Sequence, residues 1–68
     1  IDGSFVRNLE DPLQQAMVRA INQVSHLMGI RTIAEWIEDE PTAELLRQIG
    51  VDFGQGYHLA RPVALGTG

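Results

Sequence analysis

Three short stretches of the chain place polar side chains where a cation or a phosphorylated ligand could be bound. Asp2 is near the start, Glu35 and Glu38 lie three residues apart in the middle, and Gln55 stands between two glycines near the end. Carboxylate and amide oxygens are the ligands that hard divalent cations such as Mg²⁺ require. The residues therefore predict oxygen-ligand chemistry, provided that the fold brings them to one place.

The composition is that of an ordinary globular protein. Of the 68 residues, 44% are hydrophobic and 21% are charged, and the net charge is −4 at pH 7. This acidity argues against a surface for duplex nucleic acid, whose phosphates are neutralised by Lys and Arg. There is no cysteine, and no apolar run approaches the roughly 20 residues that span a bilayer. A chain this short buries only about 60% of its unfolded surface, and its start at Ile1 suggests an internal piece of a longer protein.

Two helices are predicted from their caps and their periodicity. The first covers about 12–28, because Asp11 is a good N-cap and Gly29 can close the helix. The second covers about 40–49, with Asp39 as a plausible cap and a closing glycine after it.

The first helix carries one broad apolar face at three- and four-residue steps, which predicts burial of that face. Both methionines, Met17 and Met28, are expected in the core. The face consists of Leu13, Ala16, Met17, Ala20, Ile21, Val24, Leu27 and Met28.

Strands are predicted around the helices, at 31–37 and 51–57, and residues 1–2 read as the end of another strand. Residues 58–68 are expected to run out as coil. The order is strand end, helix, strand, helix, strand, a βαβαβ pattern that indicates right-handed crossovers and an α/β fold with parallel strands and two helices. Because such a sheet would have bare edges, the pattern fits a part of a doubly wound sheet or of a (β/α)8 barrel.

Functional groups of both folds sit at the carboxyl ends of the strands, where Asp2, Glu35 and Gln55 are expected. Glu35 shares a strand face with Ile33 and should point to the buried side, where a carboxylate is costly unless it is paired or bound to metal. Glu38 could turn back over the same mouth.

Structural readings of the same residues stay open beside the functional ones. Glu38 could belong to the acidic first turn of a helix, where the helix dipole favours it. Asp2 could be a turn residue, and Gln55 between its glycines could mark a tight bend. Trp36 is expected to pack rather than to stack on a ligand. His58 is a weak candidate for a ligand contact.

The three stretches resemble signature blocks of one family, the EAL domains. I-D-G-S-F-V at 1–6 resembles the end of the family's K-I-D-x-S-F-V, and T-I-A-E-W-I-E at 32–38 is similar to T-V-A-E-G-V-E. D-F-G-Q-G-Y at 52–57, with A-R-P at 60–62, resembles D-Y-A-Q-G-Y and its trailing G-R-P. The match covers residues 1–62, which are identified as the C-terminal part of an EAL domain from the end of strand six through strand eight, with 63–68 as a coil tail.

The resemblance implies an enzyme. EAL domains are modified (β/α)8, TIM-like barrels that hydrolyse one phosphodiester bond of cyclic di-GMP to give linear pGpG, with Mg²⁺ or Mn²⁺. By this resemblance Glu35 is a catalytic residue and a metal ligand, Glu38 is a second, supporting catalytic residue, and Gln55 and Asp2 bind substrate. The parent is then a metal-dependent phosphodiesterase, whereas the 68-residue chain, without the lysine and most metal ligands of the family, is inactive alone.

One departure from the pattern bears on catalysis, because Trp36 stands where the family's block has glycine. The alternative to an enzyme is a catalytically degenerate EAL module that binds cyclic di-GMP or a partner protein as an effector. Expected partners are cyclic di-GMP, the rest of the EAL barrel, a GGDEF or sensory domain in the parent, and other copies of the isolated chain. Duplex nucleic acid is not expected, and the domain is expected in the cytoplasm even if its parent is membrane-anchored.

Overall fold

The computed structural model of the chain describes residues 1–56 and 59–66. In this part of the chain the elements follow in the order α1 (Gly3–Val6), α2 (Pro12–Leu27), β1 (Ile33–Ala34), α3 (Glu40–Ile49), β2 (Phe53–Gly56) and β3 (Leu59–Ala64).

Both predicted helices are confirmed, and their caps explain their bounds. The Asp11 carboxylate accepts a hydrogen bond from Leu13 N at 2.9 Å at the start of α2. The Asp39 carboxylate accepts one from Thr42 N at 2.9 Å at the start of α3. The left-handed Gly50, with φ of 99°, ends α3. These side chains satisfy backbone donors that have no partner within the helix.

The sheet has three strands in the order β1-β2-β3, and only one of its two pairings is parallel. β1 pairs with β2 in parallel, with Ile33 opposite Phe53. β3 pairs with β2 in antiparallel register, with Ala64 opposite Phe53. The expectation of parallel strands throughout, with a coil from residue 58 onward, was therefore wrong for 59–64. The free edge of β2 offers unpaired backbone groups to the tail, and Pro62 is tolerated because β3 is an edge strand.

The first residues pair with β1 as expected of a strand end. The backbone of Ile1 donates to the Ile33 carbonyl and accepts from Glu35 N at 3.1 Å. The chain then turns directly into α1, a single helical turn that the sequence did not predict. Asp2 caps that turn, since its carboxylate accepts from Ser4 N at 2.8 Å.

The core lies between the helices and one side of the sheet. Its fully buried large side chains are Leu9, Ile37, Leu46, Val6, Val18 and Val51. On β1 the buried residue is Ala34, whereas Ile33 is 39% exposed. The expectation that Glu35 points to the buried side of its strand was therefore wrong, because no described element covers the side of β1 that carries Ile33.

The apolar face of α2 is largely exposed, which corrects the prediction that it is buried. Met17 and Met28, expected in the core, are 39% and 68% exposed, and Leu27 is 80% exposed. The helix packs on the rest of the chain through another side, where Val18 and Asn22 are buried. No element in residues 1–56 and 59–66 lies over the apolar stripe.

Candidate functional site at the carboxyl ends of the strands

Asp2 and Glu35 lie together at the carboxyl ends of the first two strand segments. Both line an open concavity of about 290 Å³, with Arg7 and Trp36 among its other walls. The Ser4 backbone N–H, which donates to Asp2, holds the pKa of that carboxyl below its ordinary value, with a smaller contribution from the Ser4 hydroxyl. Asp2 is therefore both a helix cap and an ionised neighbour of Glu35.

Gln55 also lies beside Glu35, on its other side. The two residues line a second concavity of about 280 Å³, together with Trp36 and Gly56. Gln55 is fixed through its backbone, because its carbonyl accepts from Ile37 N at 3.0 Å. Asp2, Glu35 and Gln55 thus lie along one rim at the carboxyl ends of the strands, as predicted, and Glu35 is in the middle.

Glu38 does not join that rim in the described chain. It lines a separate concavity of about 130 Å³, with Arg7, Glu10, Trp36 and Asp39. Trp36 and Arg7 border both this concavity and that of Asp2 and Glu35, so they stand between the two glutamates. The expectation that Glu38 turns back over the same mouth as Glu35 is not met here.

Trp36 has an unusual backbone conformation, and its side chain packs between Gly3 and Arg7. Its φ of 63° lies in the left-handed region, which a non-glycine residue occupies at a cost of about 1–2 kcal/mol. Its side chain lies against Gly3, where an added Cβ would be 2.5 Å from the Trp36 Cγ. The Arg7 guanidinium lies over the indole, 4.6 Å from the ring centroid, at cation–π distance.

The positive φ explains why glycine is the common residue of the T-V-A-E-G-V-E block at this position. The glycine of the family block therefore indicates a left-handed backbone at this position. A tryptophan considered by itself does not indicate it. Trp36 is 54% exposed, so the expectation that its side chain simply packs is only partly met.

A polar network at the opposite ends of the strands was missed from the sequence. Asp52 Oδ2 accepts from Thr32 N at 2.7 Å and lies 2.7 Å from His26 Nε2. The Thr32 hydroxyl donates to Asn22 Oδ1 at 2.6 Å. The Thr32 backbone N–H first, and His26 second, hold the pKa of Asp52 below its ordinary value. This network ties α2 to the starts of β1 and β2, far from the rim, and it gives His26 a structural partner.

The donor set of the rim fits a hard divalent cation only in part. In the described residues no group of three or more His, Cys, Asp or Glu side chains could hold a metal ion. Glu35, the predicted ligand, is exposed and has one carboxylate neighbour, Asp2. Carboxylate oxygens are the ligands that hard divalent cations take, and further ligands would be needed to complete such a site. His58 lies outside the described residues. Across those that are described, no helix has the length and apolar character to cross a membrane.

The chain is a small α/β unit that brings Asp2, Glu35 and Gln55 together at one end of its parallel strands. Residues 1–62 match the EAL domain family, and the chain belongs to that family.

A curated relative and solved structures agree with this assignment. The cyclic di-GMP phosphodiesterase PdeB of Shewanella oneidensis is 40% identical over 68 residues, which cover 98% of this chain and 8% of the relative. The EAL enzyme Bd1971, solved with cAMP and cyclic di-GMP bound, superposes with a TM-score of 0.83 at 44% identity, over 96% of this chain and 18% of its own. An EAL domain protein of Listeria monocytogenes EGD-e gives a TM-score of 0.82 at 38% identity, over 94% of this chain and 26% of its own. The chain thus spans a small part of each of these proteins.

Proposed function

We propose that the complete protein to which this chain belongs hydrolyses cyclic di-GMP to linear pGpG. The chain would supply the end of strand six through strand eight of a modified (β/α)8 barrel. The observation that carries the proposal is the position of Glu35, which lines one concavity with Asp2 and the adjoining one with Gln55. Membership of the EAL family and the likeness to a cyclic di-GMP phosphodiesterase support the choice of substrate.

The barrel explains why the face of β1 that carries Ile33 and Glu35 is open in this chain. In a closed (β/α)8 barrel one face of every strand points into the interior, which is filled by side chains from all the strands. Ile33 would enter that interior, and Glu35, two residues further along the same face, would stand at its upper mouth. The exposed stripe of α2 would likewise be covered by other parts of the barrel.

Hydrolysis adds water across one phosphodiester bond, so that one P–O bond forms, one breaks, and the leaving ribose hydroxyl takes up a proton. Glu35 offers an exposed carboxylate that can accept the proton of the attacking water, as a general base does. Gln55 offers an amide that can donate to phosphate oxygens and accept from ligand donors. Asp2, held ionised by Ser4, adds negative charge beside Glu35. The supporting role proposed for Glu38 rests on the family resemblance, because Glu38 lines a separate concavity in this chain.

Glu35 is also the residue of this chain that would hold a divalent cation, with the remaining ligands supplied by the rest of the domain. When bound, such a cation polarises the phosphoryl group and favours attack by water. Because this chain provides only part of the ligand set, we propose that it is inactive alone.

A second candidate function is a degenerate module that binds cyclic di-GMP or a partner protein without cleavage. Trp36 favours it, because a bulky ring stands beside Glu35 where the family's block has glycine. The two candidates differ in product formation and agree in ligand binding.

The test is product analysis with the complete domain. Purified domain is incubated with cyclic di-GMP and Mg²⁺ or Mn²⁺, and the nucleotides are separated by chromatography. The proposal predicts accumulation of pGpG by the complete domain and none by the 68-residue chain. Binding of cyclic di-GMP without any pGpG would overturn hydrolysis in favour of the second candidate.

A further inference from the structure

We propose that Trp36 is a substrate-binding residue that stacks on a guanine base of cyclic di-GMP, with Arg7 holding the ring in place. This role for Trp36 rests on the proposed function, because cyclic di-GMP is the ligand proposed there. It concerns a residue that departs from the family's pattern, so it describes a property of this chain.

Trp36 lies next to the proposed catalytic residue Glu35 in two adjoining concavities. The ring borders the concavity of Asp2 and Glu35 and also that of Glu35 and Gln55. A ligand whose phosphate lies near Glu35 would therefore have the indole within reach of an attached nucleoside. No other aromatic side chain lines these two concavities in the described chain.

Trp36 combines an accessible surface with contacts that restrain its side chain. It is 54% exposed, although it is the largest side chain in the chain. Gly3 lies against its Cβ and Cγ, and the Arg7 guanidinium lies over the indole 4.6 Å from the centroid. A ring fixed in this way loses little conformational freedom when a ligand binds, which favours affinity.

The chemistry of the pair matches a purine. Every nucleobase has a π-face that can stack on an aromatic side chain, and tryptophan offers the largest one. Because Arg7 covers one face of the indole, the base would stack on the other face.

The experiment uses the complete EAL domain and a matched pair of variants, Trp36→Phe and Trp36→Leu. Both put a bulky side chain on the same left-handed backbone, but only Phe can stack. We expect Trp36→Leu to raise the Kd and KM for cyclic di-GMP by about 5- to 100-fold, with little change in kcat, and Trp36→Phe to keep most of the affinity. Equal losses in the two variants would contradict stacking.

Two small ligands separate the base from the phosphate. GMP and ribose 5-phosphate are tested as competitors for cyclic di-GMP, and Trp36→Leu should weaken GMP while leaving ribose 5-phosphate unchanged. In the wild-type domain, GMP should quench a component of the indole fluorescence that is absent from Trp36→Phe. This measurement decides the matter even if the Leu variant fails to fold, and the absence of any such component would overturn the proposal. A wild-type domain that binds cyclic di-GMP without cleaving it would overturn the proposed hydrolysis alone, since the Kd values still test Trp36.

Discussion

Trp36 lies so close to Gly3 that a single added methyl group on residue 3 would be 2.5 Å from the Trp36 Cγ. Real Cβ atoms do not approach another carbon at that distance, so the two residues are complementary in size. This contact joins the first turn of α1 to the segment after β1, and it fixes the wall between Glu35 and Glu38.

Gly3→Ala should therefore destabilise the complete domain, by about 1–3 kcal/mol as for other overpacked sites. The same change should cost much less in a Trp36→Gly background, because the ring is then absent. Urea unfolding of the four proteins of this double-mutant cycle measures the coupling. Additive effects of the two changes would show that the contact is not formed.

Gly56→Ala should be more damaging than a change at another left-handed glycine. An added Cβ at Gly56, where φ is 120°, would lie 2.7 Å from Ile37 N and 2.9 Å from Ile37 O, both backbone atoms. Gly29 is the matched control, since its φ is 77° and nothing lies within 4 Å of the added Cβ. We expect about 1–2 kcal/mol of destabilisation for Gly29→Ala and clearly more for Gly56→Ala, measured by urea unfolding. Equal losses would contradict the close approach of Gly56 to Ile37.

The acid stability of the domain should depend on Asp52. The pKa of this carboxyl lies below its ordinary value of 3.8 because Thr32 N and His26 bond to it. Its ionised form therefore stabilises the fold at pH values above 3.8, and this contribution is lost as the pH falls through the folded-state pKa.

Asp52→Asn should consequently lower the free energy of unfolding near neutral pH and flatten its decrease in acid. Urea unfolding between about pH 2 and pH 6 measures both effects. Asp2 and Asp39 also have lowered pKa values and stay in the variant, so some acid dependence remains. An unchanged pH profile would remove Asp52 from the stabilising groups.

The isolated 68-residue chain should self-associate through α2. The exposed apolar residues of this helix follow each other at alternating steps of four and three, the spacing of a coiled-coil seam: Leu13, Met17, Ala20, Val24 and Leu27. Analytical ultracentrifugation should show species larger than a monomer. Leu27→Glu should reduce them, whereas Gln48→Glu, at an exposed position of α3, should not. A monodisperse monomer with a cooperative thermal transition would contradict this prediction.

The sequence predicted those elements whose limits are set by local chemistry. Asp11 and Asp39 cap the two longer helices by bonding to nearby backbone groups, so their starts could be predicted from neighbouring residues. The common rim of Asp2, Glu35 and Gln55 followed from a general property of parallel strands.

What the sequence did not predict depends on contacts between distant parts of the chain. The Trp36 side chain lies against Gly3, which is far away in sequence. β3 is an exception, because it pairs with the neighbouring strand β2, and the coil prediction followed from Pro62 and the small residues of the tail. The apolar stripe of α2 was expected to be buried because its periodicity indicates a face that packs against another surface. Periodicity does not show whether that surface belongs to the same 68 residues. The hydrogen bond from Thr32 N to Asp52 joins residues that are 20 positions apart, and no local sequence pattern predicts it.

Glu35 is proposed as the catalytic carboxylate of a cyclic di-GMP phosphodiesterase, and its substitution is the decisive experiment. The rate of pGpG formation is measured for the complete wild-type domain, for Glu35→Gln and for the control Glu44→Gln, an exposed residue on α3 near Arg47. We predict that Glu35→Gln lowers kcat by about 10²–10⁴-fold with an unchanged fold, and that Glu44→Gln has no effect. Unchanged turnover in Glu35→Gln would show that Glu35 is not the catalytic carboxylate.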